Sequence, residues 1–291
     1  MSLWAAEAAD DRIIHAEGRF DCEVTHAEMK IRLDQLLVDR GEFDSRTRAA
    51  AAVLAGGVLL GAGRERASKA GQLVDSEVAI EVIGRLPYVS RGGVKLASAL
   101  DRFGLDVAGM YALDVGASTG GFTDCLLQRG AAHVVALDVA YGELAWSLRG
   151  DSRVTVIERC NARSVAPSVL PYPPQLIVVD VSFISLQKVL PAVLACAAAR
   201  HDCLAMVKPQ FEVGRDRVGK GGVVRDAAAR RDAIVSVASF AATELDASVG
   251  GFASSGLPGP KGNRETFVWL RERGRAGSVD DLAAAAFEVE P

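Results

Sequence analysis

The thirteen residues from Tyr111 to Thr123, Tyr-Ala-Leu-Asp-Val-Gly-Ala-Ser-Thr-Gly-Gly-Phe-Thr, constrain the fold more than any other stretch. Tyr111 to Val115 is a short apolar run with β-branched character, and glycines follow at once. Phe122 to Arg129 then has helical spacing and stops at Gly130. That is a strand, a tight turn and a helix, the opening unit of an α/β nucleotide-type site. Glycines let the backbone approach a ligand, and a helix N-terminus offers it free N–H groups.

Spacing narrows the ligand. A dinucleotide fingerprint is Gly-x-Gly-x-x-Gly, and its middle glycine admits a pyrophosphate. Counted from Gly116, the middle position is Ser118 and the third is Gly121. The pattern Asp114-x-Gly116-x-x-x-Gly120-Gly121 instead suits a phosphate-free cofactor such as S-adenosylmethionine (SAM). Asp138 ends a second apolar run, Val134 to Leu137, where a carboxylate can accept hydrogen bonds from both ribose hydroxyls. Asp114, Gly116, Ser118, Gly120, Gly121, Phe122 and Asp138 are therefore candidate cofactor residues.

With 291 residues, 49% of them hydrophobic, the chain has material for two domains and a sizeable core. Met1 to Arg12 has neither a basic start nor an apolar segment, so no signal peptide is expected. The longest uncharged apolar stretch, Ala49 to Gly63, contains four glycines and is too short to span a bilayer. The five cysteines form no CxxC pair and no His joins them at ligand spacing, so reduced thiols in a cytosolic protein and no metal site are expected.

The net charge of −4 is unevenly placed. Residues 1–29 carry two Arg against seven acidic groups and have no sustained period, which predicts a poorly ordered extension. The remainder is close to neutral, and a local basic face is compatible with that. Residues 30–84 form a unit of their own. Leu33, Leu36 and Leu37 make one helical stripe. Ser45 caps a second helix through Val53 that closes at Gly56-Gly57, and strands are expected at Val58 to Leu60 and Glu77 to Val82. Around this skeleton stand Arg32, Arg40, Arg46, Arg48, Arg64, Arg66 and Lys69, either a solvated face or a phosphate-binding one. Residues 85–93, which include Arg91, read as a linker.

Further on, α/β alternation predicts a mostly parallel sheet with helices on both faces. Helices are expected at Val94 to Phe103, Leu186 to Ala199, Ala227 to Ala242 and Ser278 to Phe287. Strands are expected at Val154 to Ile157, Leu176 to Val181, Cys203 to Val207, Ala247 to Phe252 and Thr266 to Leu270. Ligands of such sheets bind beyond the carboxyl ends of the strands, where Asp114, Asp138, Asn161, Asp180 and Lys208 all fall. Asp180 follows an unbroken apolar run and needs a partner or a cation. A partly desolvated Lys208 can act as a base, although a structural ion pair would also account for both. Gly214 to Arg225 is a glycine-rich loop carrying Arg215, Arg217 and Lys220, read as a mobile lid that contacts RNA or as an ordinary surface loop.

Separated words now agree in order and spacing: Ser90-Arg-Gly-Gly-Val-Lys95, Val179-Asp180-Val-Ser-Phe-Ile-Ser, Val207-Lys208-Pro-Gln-Phe-Glu212 and Lys261-Gly-Asn-Arg-Glu265. They resemble the FtsJ-like ribose 2′-O-methyltransferases, with Lys95, Asp180, Lys208 and Glu265 in the places of that family's Lys-Asp-Lys-Glu set. The pattern Arg-Leu-Asp-x-Leu-Leu-Val, Ser-Arg-x-x-Ala and Gly-x-Val resembles the small RNA-binding module named after ribosomal protein S-four. Together, over about residues 30–272, they resemble the TlyA family of ribosomal RNA methyltransferases, once labelled haemolysins. Ala140 departs from the pattern where a glycine would stand.

The resemblance implies a Rossmann-like SAM-dependent methyltransferase sheet over 94–291, preceded by a small α+β RNA-binding domain over 30–84. It implies SAM as cofactor, with Asn161 and Ala162 near the adenine, and ribosomal RNA, with a cytidine as target, as partner. Lys208 would take the hydroxyl proton, Asp180 would tune it, and Lys95 and Glu265 would hold the reacting groups. Competing readings are an NAD-dependent oxidoreductase, which Ser118 disfavours, a non-catalytic RNA-binding protein, and a membrane-active haemolysin, for which no spanning segment is expected.

Overall fold

In the computed structural model, which describes residues 30–43, 45–54, 56–83 and 87–290, the chain forms a small α+β unit and a larger α/β unit. The expectation for residues 1–29 lies outside the described residues.

The first unit runs β1 (Lys30–Arg32), α1 (Leu33–Asp39), α2 (Arg46–Leu54), β2 (Val58–Leu60), β3 (Glu65–Arg66), β4 (Leu73–Asp75) and β5 (Ile80–Val82). β1 pairs with β4, and β3-β2-β5 form a small antiparallel sheet. The predicted leucine stripe is its core: Leu33, Leu36 and Leu37 are buried against Ala49, Val53, Val58 and Val74. The strand expected from Glu77 starts only at Ile80. Asp75 accounts for this, since its carboxylate accepts from the Glu77 amide at 2.8 Å and its carbonyl from Val78 at 3.1 Å, making a turn.

The second unit opens with α3 (Arg91–Phe103), three residues earlier than the apolar spacing predicts. Gly92 and Gly93 read as linker but lie in its first turn. A Cβ on Gly93 would meet the Tyr88 ring at 2.3 Å, so glycine is required there by close approach. There follow β6 (Tyr111–Val115), α4 (Gly121–Gln128), β7 (His133–Leu137), α5 (Trp146–Arg149), β8 (Val154–Ile157), β9 (Leu176–Val179), α6 (Leu190–Leu194), β10 (Asp202–Val207), α7 (Pro209–Glu212), α8 (Ala227–Glu244), β11 (Ser248–Ser254), β12 (Thr266–Arg271) and α9 (Leu282–Val289).

The strands form one seven-stranded sheet in the order β11-β12-β10-β9-β6-β7-β8. β8, β7, β6, β9 and β10 are parallel, and β12 inserts antiparallel between β10 and β11. β6, β9 and β10 are buried on both faces, as the continuous apolar runs require. The helix expected over Leu186 to Ala199 is broken into a single 3₁₀ turn at Leu186–Lys188 and the short α6. Pro191 has no N–H to continue an earlier helix and is tolerated only in a first turn. Beyond Leu194, the Ala198 amide bonds the Pro174 carbonyl instead, at 2.9 Å. The terminal helix starts late because Asp281, not Ser278, caps it, accepting from the Ala283 and Ala284 amides.

Candidate active site

The chain reverses direction at Gly116, where φ is +85°, and again at Gly120, where it is +95°. A Cβ on Gly116 would lie 2.5 Å from the Asp180 carbonyl oxygen, and one on Gly120 would lie 2.3 Å from Leu148. The turn is thus built of glycine so that β9 and α5 can close on it, a reason the ligand-approach expectation did not contain. Asp114 is also placed differently from expectation. It is fully buried behind the loop, where Oδ2 accepts from the Thr123 amide at 2.9 Å and the Thr123 hydroxyl at 2.7 Å. It fixes the start of α4 rather than facing the cleft. Burial raises its carboxyl to about 7, with the charges of Asp180 and Asp138 adding to the rise.

Asp138 stands at the end of β7 and accepts from the Ser118 and Ala140 amides, both at 2.8 Å. Each oxygen keeps a lone pair for a further donor. Ala140 has a negative φ here, so alanine costs nothing in place of the family's glycine. Asn161 caps its own 3₁₀ turn by accepting from the Arg163 amide, and Ala162 packs beside the core. Neither lines the large cleft, and nor does Asp138, but the Cys160 amide bonds the Asp138 carbonyl at 3.0 Å and so places Asn161 and Ala162 next to that candidate.

The cleft, about 1470 Å³, lies beyond the carboxyl ends of the strands and is walled by Gly116, Ser118, Gly121 and Phe122 among others. Two ion pairs face it. Lys95 from α3 and Glu265, just before β12, form a short buried pair with side chains 9% and 2% exposed. Lys208, the residue after β10, meets Asp180 Oδ1 at 2.5 Å and donates to Ser182 Oγ at 2.9 Å. That pair is more open, at 12% and 24% exposure. Four residues scattered over 170 positions therefore meet at one opening.

Several residues of the site carried no periodic signal. Phe183 is 92% exposed at φ +64°, an unusual backbone for a bulky residue, and it contacts the Phe211 ring at 5.3 Å. Tyr141 and Trp146 are exposed on the same cleft. Asn263 is buried and ties the loop of residues 214–225 at its base, accepting from the Val224 amide and donating to the Gly222 carbonyl. That loop, expected to be mobile, is held at this point, while Arg215 and Lys220 project into solvent.

Of the other basic candidates, Arg48 and Arg91 line the cleft, with Arg91 also donating to the Pro258 carbonyl. Arg66 and Lys69 are exposed. Arg40 departs from expectation, because its guanidinium clips the Ser76 and Val78 carbonyls and so closes the small unit. Arg32 and Arg46 both bond the buried Asp34, holding that carboxyl well below the usual range, Arg32 by the stronger bond. Arg64 pairs with Glu81.

Asp114, Asp138 and Asp180 cluster at the ends of β6, β7 and β9, and Asp114 Oδ1 is buried with no hydrogen-bond partner. The carboxyls of Asp138 and Asp180 beside a turn with no middle glycine fit a cationic, phosphate-free group.

Sheet order, glycine turn and paired lysines define a methyltransferase of the Rossmann-like type. The comparisons agree. Residues 88–272 match the FtsJ-like methyltransferase family. The chain is 49% identical over 264 residues to the 16S/23S rRNA (cytidine-2′-O)-methyltransferase TlyA of Mycobacterium tuberculosis, covering 88% of this chain and 96% of the relative. It is 39% identical to Hemolysin A of Brachyspira hyodysenteriae, covering 81% and 97%. A solved structure from Streptococcus thermophilus that carries a hemolysin name superposes with a TM-score of 0.70 at 37% identity, covering 90% of this chain and 96% of that one. The chain belongs to the FtsJ-like methyltransferases and, within them, to the TlyA family.

Proposed function

We propose that this enzyme transfers the methyl group of SAM to a ribose 2′-hydroxyl of a cytidine in ribosomal RNA. The observation that carries the reading is the meeting of Lys95–Glu265 and Asp180–Lys208 at one cleft beside the glycine turn. Bound there, SAM supplies an electrophilic methyl group on a sulfonium.

The chain's own residues supply the rest. Ser118, Gly121, Phe122 and Asp138 would hold the cofactor, and Asp180 places a negative charge beside it. A ribose hydroxyl is a weak nucleophile, so its alignment and the removal of its proton limit the rate. Lys208 would accept that proton at Nζ, where Asp180 pairs the ammonium. The methyl group would come from the sulfonium, whose sulfur would leave as a neutral thioether. Lys95 and Glu265, locked together, hold the hydroxyl in line.

The exposed rings of Trp146 and Phe183, and the face of Tyr141 not covered by Arg159, suit stacking of unpaired bases, which is how single-stranded RNA is gripped. We read residues 30–84 as an S-four-like RNA-binding domain, whose Arg48 joins the cleft wall. Ribosomal subunits are then the substrates, and the enzyme works in the cytoplasm. Among the described residues no helix is long and apolar enough to cross a membrane.

The test is transfer of labelled methyl from SAM to small and large ribosomal subunits, each taken from cells lacking this modification. Label in the RNA of at least one subunit is expected. Subunit binding and SAM binding without transfer would leave a non-catalytic binding protein.

A further inference from the structure

Two loops carry the Asp180–Lys208 pair, one after β9 and one after β10, and they are stitched together in register. Lys208 meets Asp180 and Ser182 at the cleft. The Phe211 ring meets Phe183 behind them. Glu212 closes the far end. Its Oε1 accepts from the Leu186 amide at 2.8 Å and its Oε2 from the Ser185 hydroxyl at 2.7 Å. Ser185 Oγ in turn accepts from the Gln187 amide, capping the turn that follows.

Glu212 itself does not line the cleft. It ends α7, whose N-cap is Lys208, so four residues of helix fix the distance between proton acceptor and tie. Burial raises its carboxyl, against the pull of the Leu186 and Ser185 bonds. A partly buried carboxylate at a loop junction carries a desolvation cost that a plain surface turn would avoid. Meanwhile the β9 loop bears the left-handed Phe183, a conformation that persists only when its surroundings over-determine it.

We propose that Glu212 is a positioning residue for methyl transfer, holding the loop of Asp180, Ser182 and Phe183 against Lys208. It acts through those residues and touches no reacting atom. The proposal rests on the methyl-transfer reading above.

The experiment compares Glu212→Ala and Glu212→Gln with wild type, using the full chain, SAM and ribosomal subunits. Glutamine keeps an acceptor for Leu186 and offers a donor to Ser185, so both ties survive. A misplacement of about 1 Å in a catalytic group can cost about 100-fold in rate. Glu212→Ala is therefore expected to lower kcat by about 10- to 100-fold while KM for SAM and for the subunit stay within about twofold. Glu212→Gln is expected to restore kcat to within about threefold of wild type.

An alanine variant with wild-type kcat would overturn the proposal. So would a glutamine variant as slow as alanine, or a rise in KM with kcat unchanged. Should the alanine variant fail to fold, Ser185→Ala removes the Oε2 tie, together with the cap on the Gln187 amide, and leaves the Leu186 tie in place. It is then expected to lower kcat with KM held, and an unchanged kcat would overturn the proposal. Loss of transfer by wild type would count against the methyl-transfer reading, whereas failure of the present proposal shows only in the variants.

Discussion

β10 and β12 run side by side with charged residues at both ends. At one end stand Lys208 and Glu265. At the other, Asp202 accepts from Trp269 Nε1 and from Arg275, each at 2.7 Å, and Glu272 accepts from Arg275 and the His201 amide. Arg271 lies over the Trp269 ring. Both ends hold buried, paired charge, so pairing and burial do not by themselves mark a site. What separates them is space. None of the Asp202 group lines the cleft, and its members bond one another closely. Lys208 and Glu265 face a large opening beside a glycine turn. The difference is between charges that complete a scaffold and charges held ready for an absent partner.

That contrast can be broken by mutation. The largest effect is expected from Lys208→Ala, which should lower kcat by about 10³-fold, within the range for loss of a general base. SAM affinity by calorimetry should hardly change. A collapse of SAM binding instead would move Lys208 from the reaction to the cofactor.

Next come Lys95→Ala and Glu265→Ala. Each strands a buried charge and should destabilise the fold by about 3–5 kcal/mol in denaturant titration. The double change Lys95→Met with Glu265→Leu should recover most of that stability and none of the activity. Recovery of both would reduce this pair to the status of the Asp202 network.

Asp202→Ala should cost about 1–3 kcal/mol, the penalty for leaving the Trp269 and Arg275 donors without their acceptor. Methyl transfer at a temperature where the variant is folded should match wild type. A fall in kcat would connect the two ends.

A last effect, confined to a pH window, concerns Asp114. Its carboxyl is raised to about 7 in the folded chain, so its protonated form is the favoured one there. That contribution is fully present below about pH 4, where the unfolded chain is protonated too. It is lost as pH rises through about 7. Asp114→Asn should therefore show a smaller fall in Tm across that window than wild type. Parallel Tm curves would contradict the assignment.

Much of this site could be read along the chain because direction carries information. In a parallel sheet a polar residue after an apolar run lies at the ligand end, which singled out Asp138, Asp180 and Lys208. Asp202 comes before its run and lies at the other end. Asp114 misled because it belongs to β6 itself, one residue short of the exit, so its side chain points behind the loop. Glu212, Asn263 and Phe183 stand inside the quoted family words, but their roles were not legible there for another reason. Their partners lie 26 or more residues away, or their exposure follows from one backbone angle, and neither leaves a period in the sequence. Helix boundaries shifted where a local bond outbid periodicity, as at Asp281 and at Pro191.

The most direct measurement is the chemical position of the transferred methyl. RNA from subunits labelled by wild type would be digested to nucleosides and separated. The account predicts label in 2′-O-methylcytidine alone, resistant to alkali before digestion, and none with Lys208→Ala. Label on a base carbon or nitrogen, or full labelling by the Lys208→Ala enzyme, would contradict it.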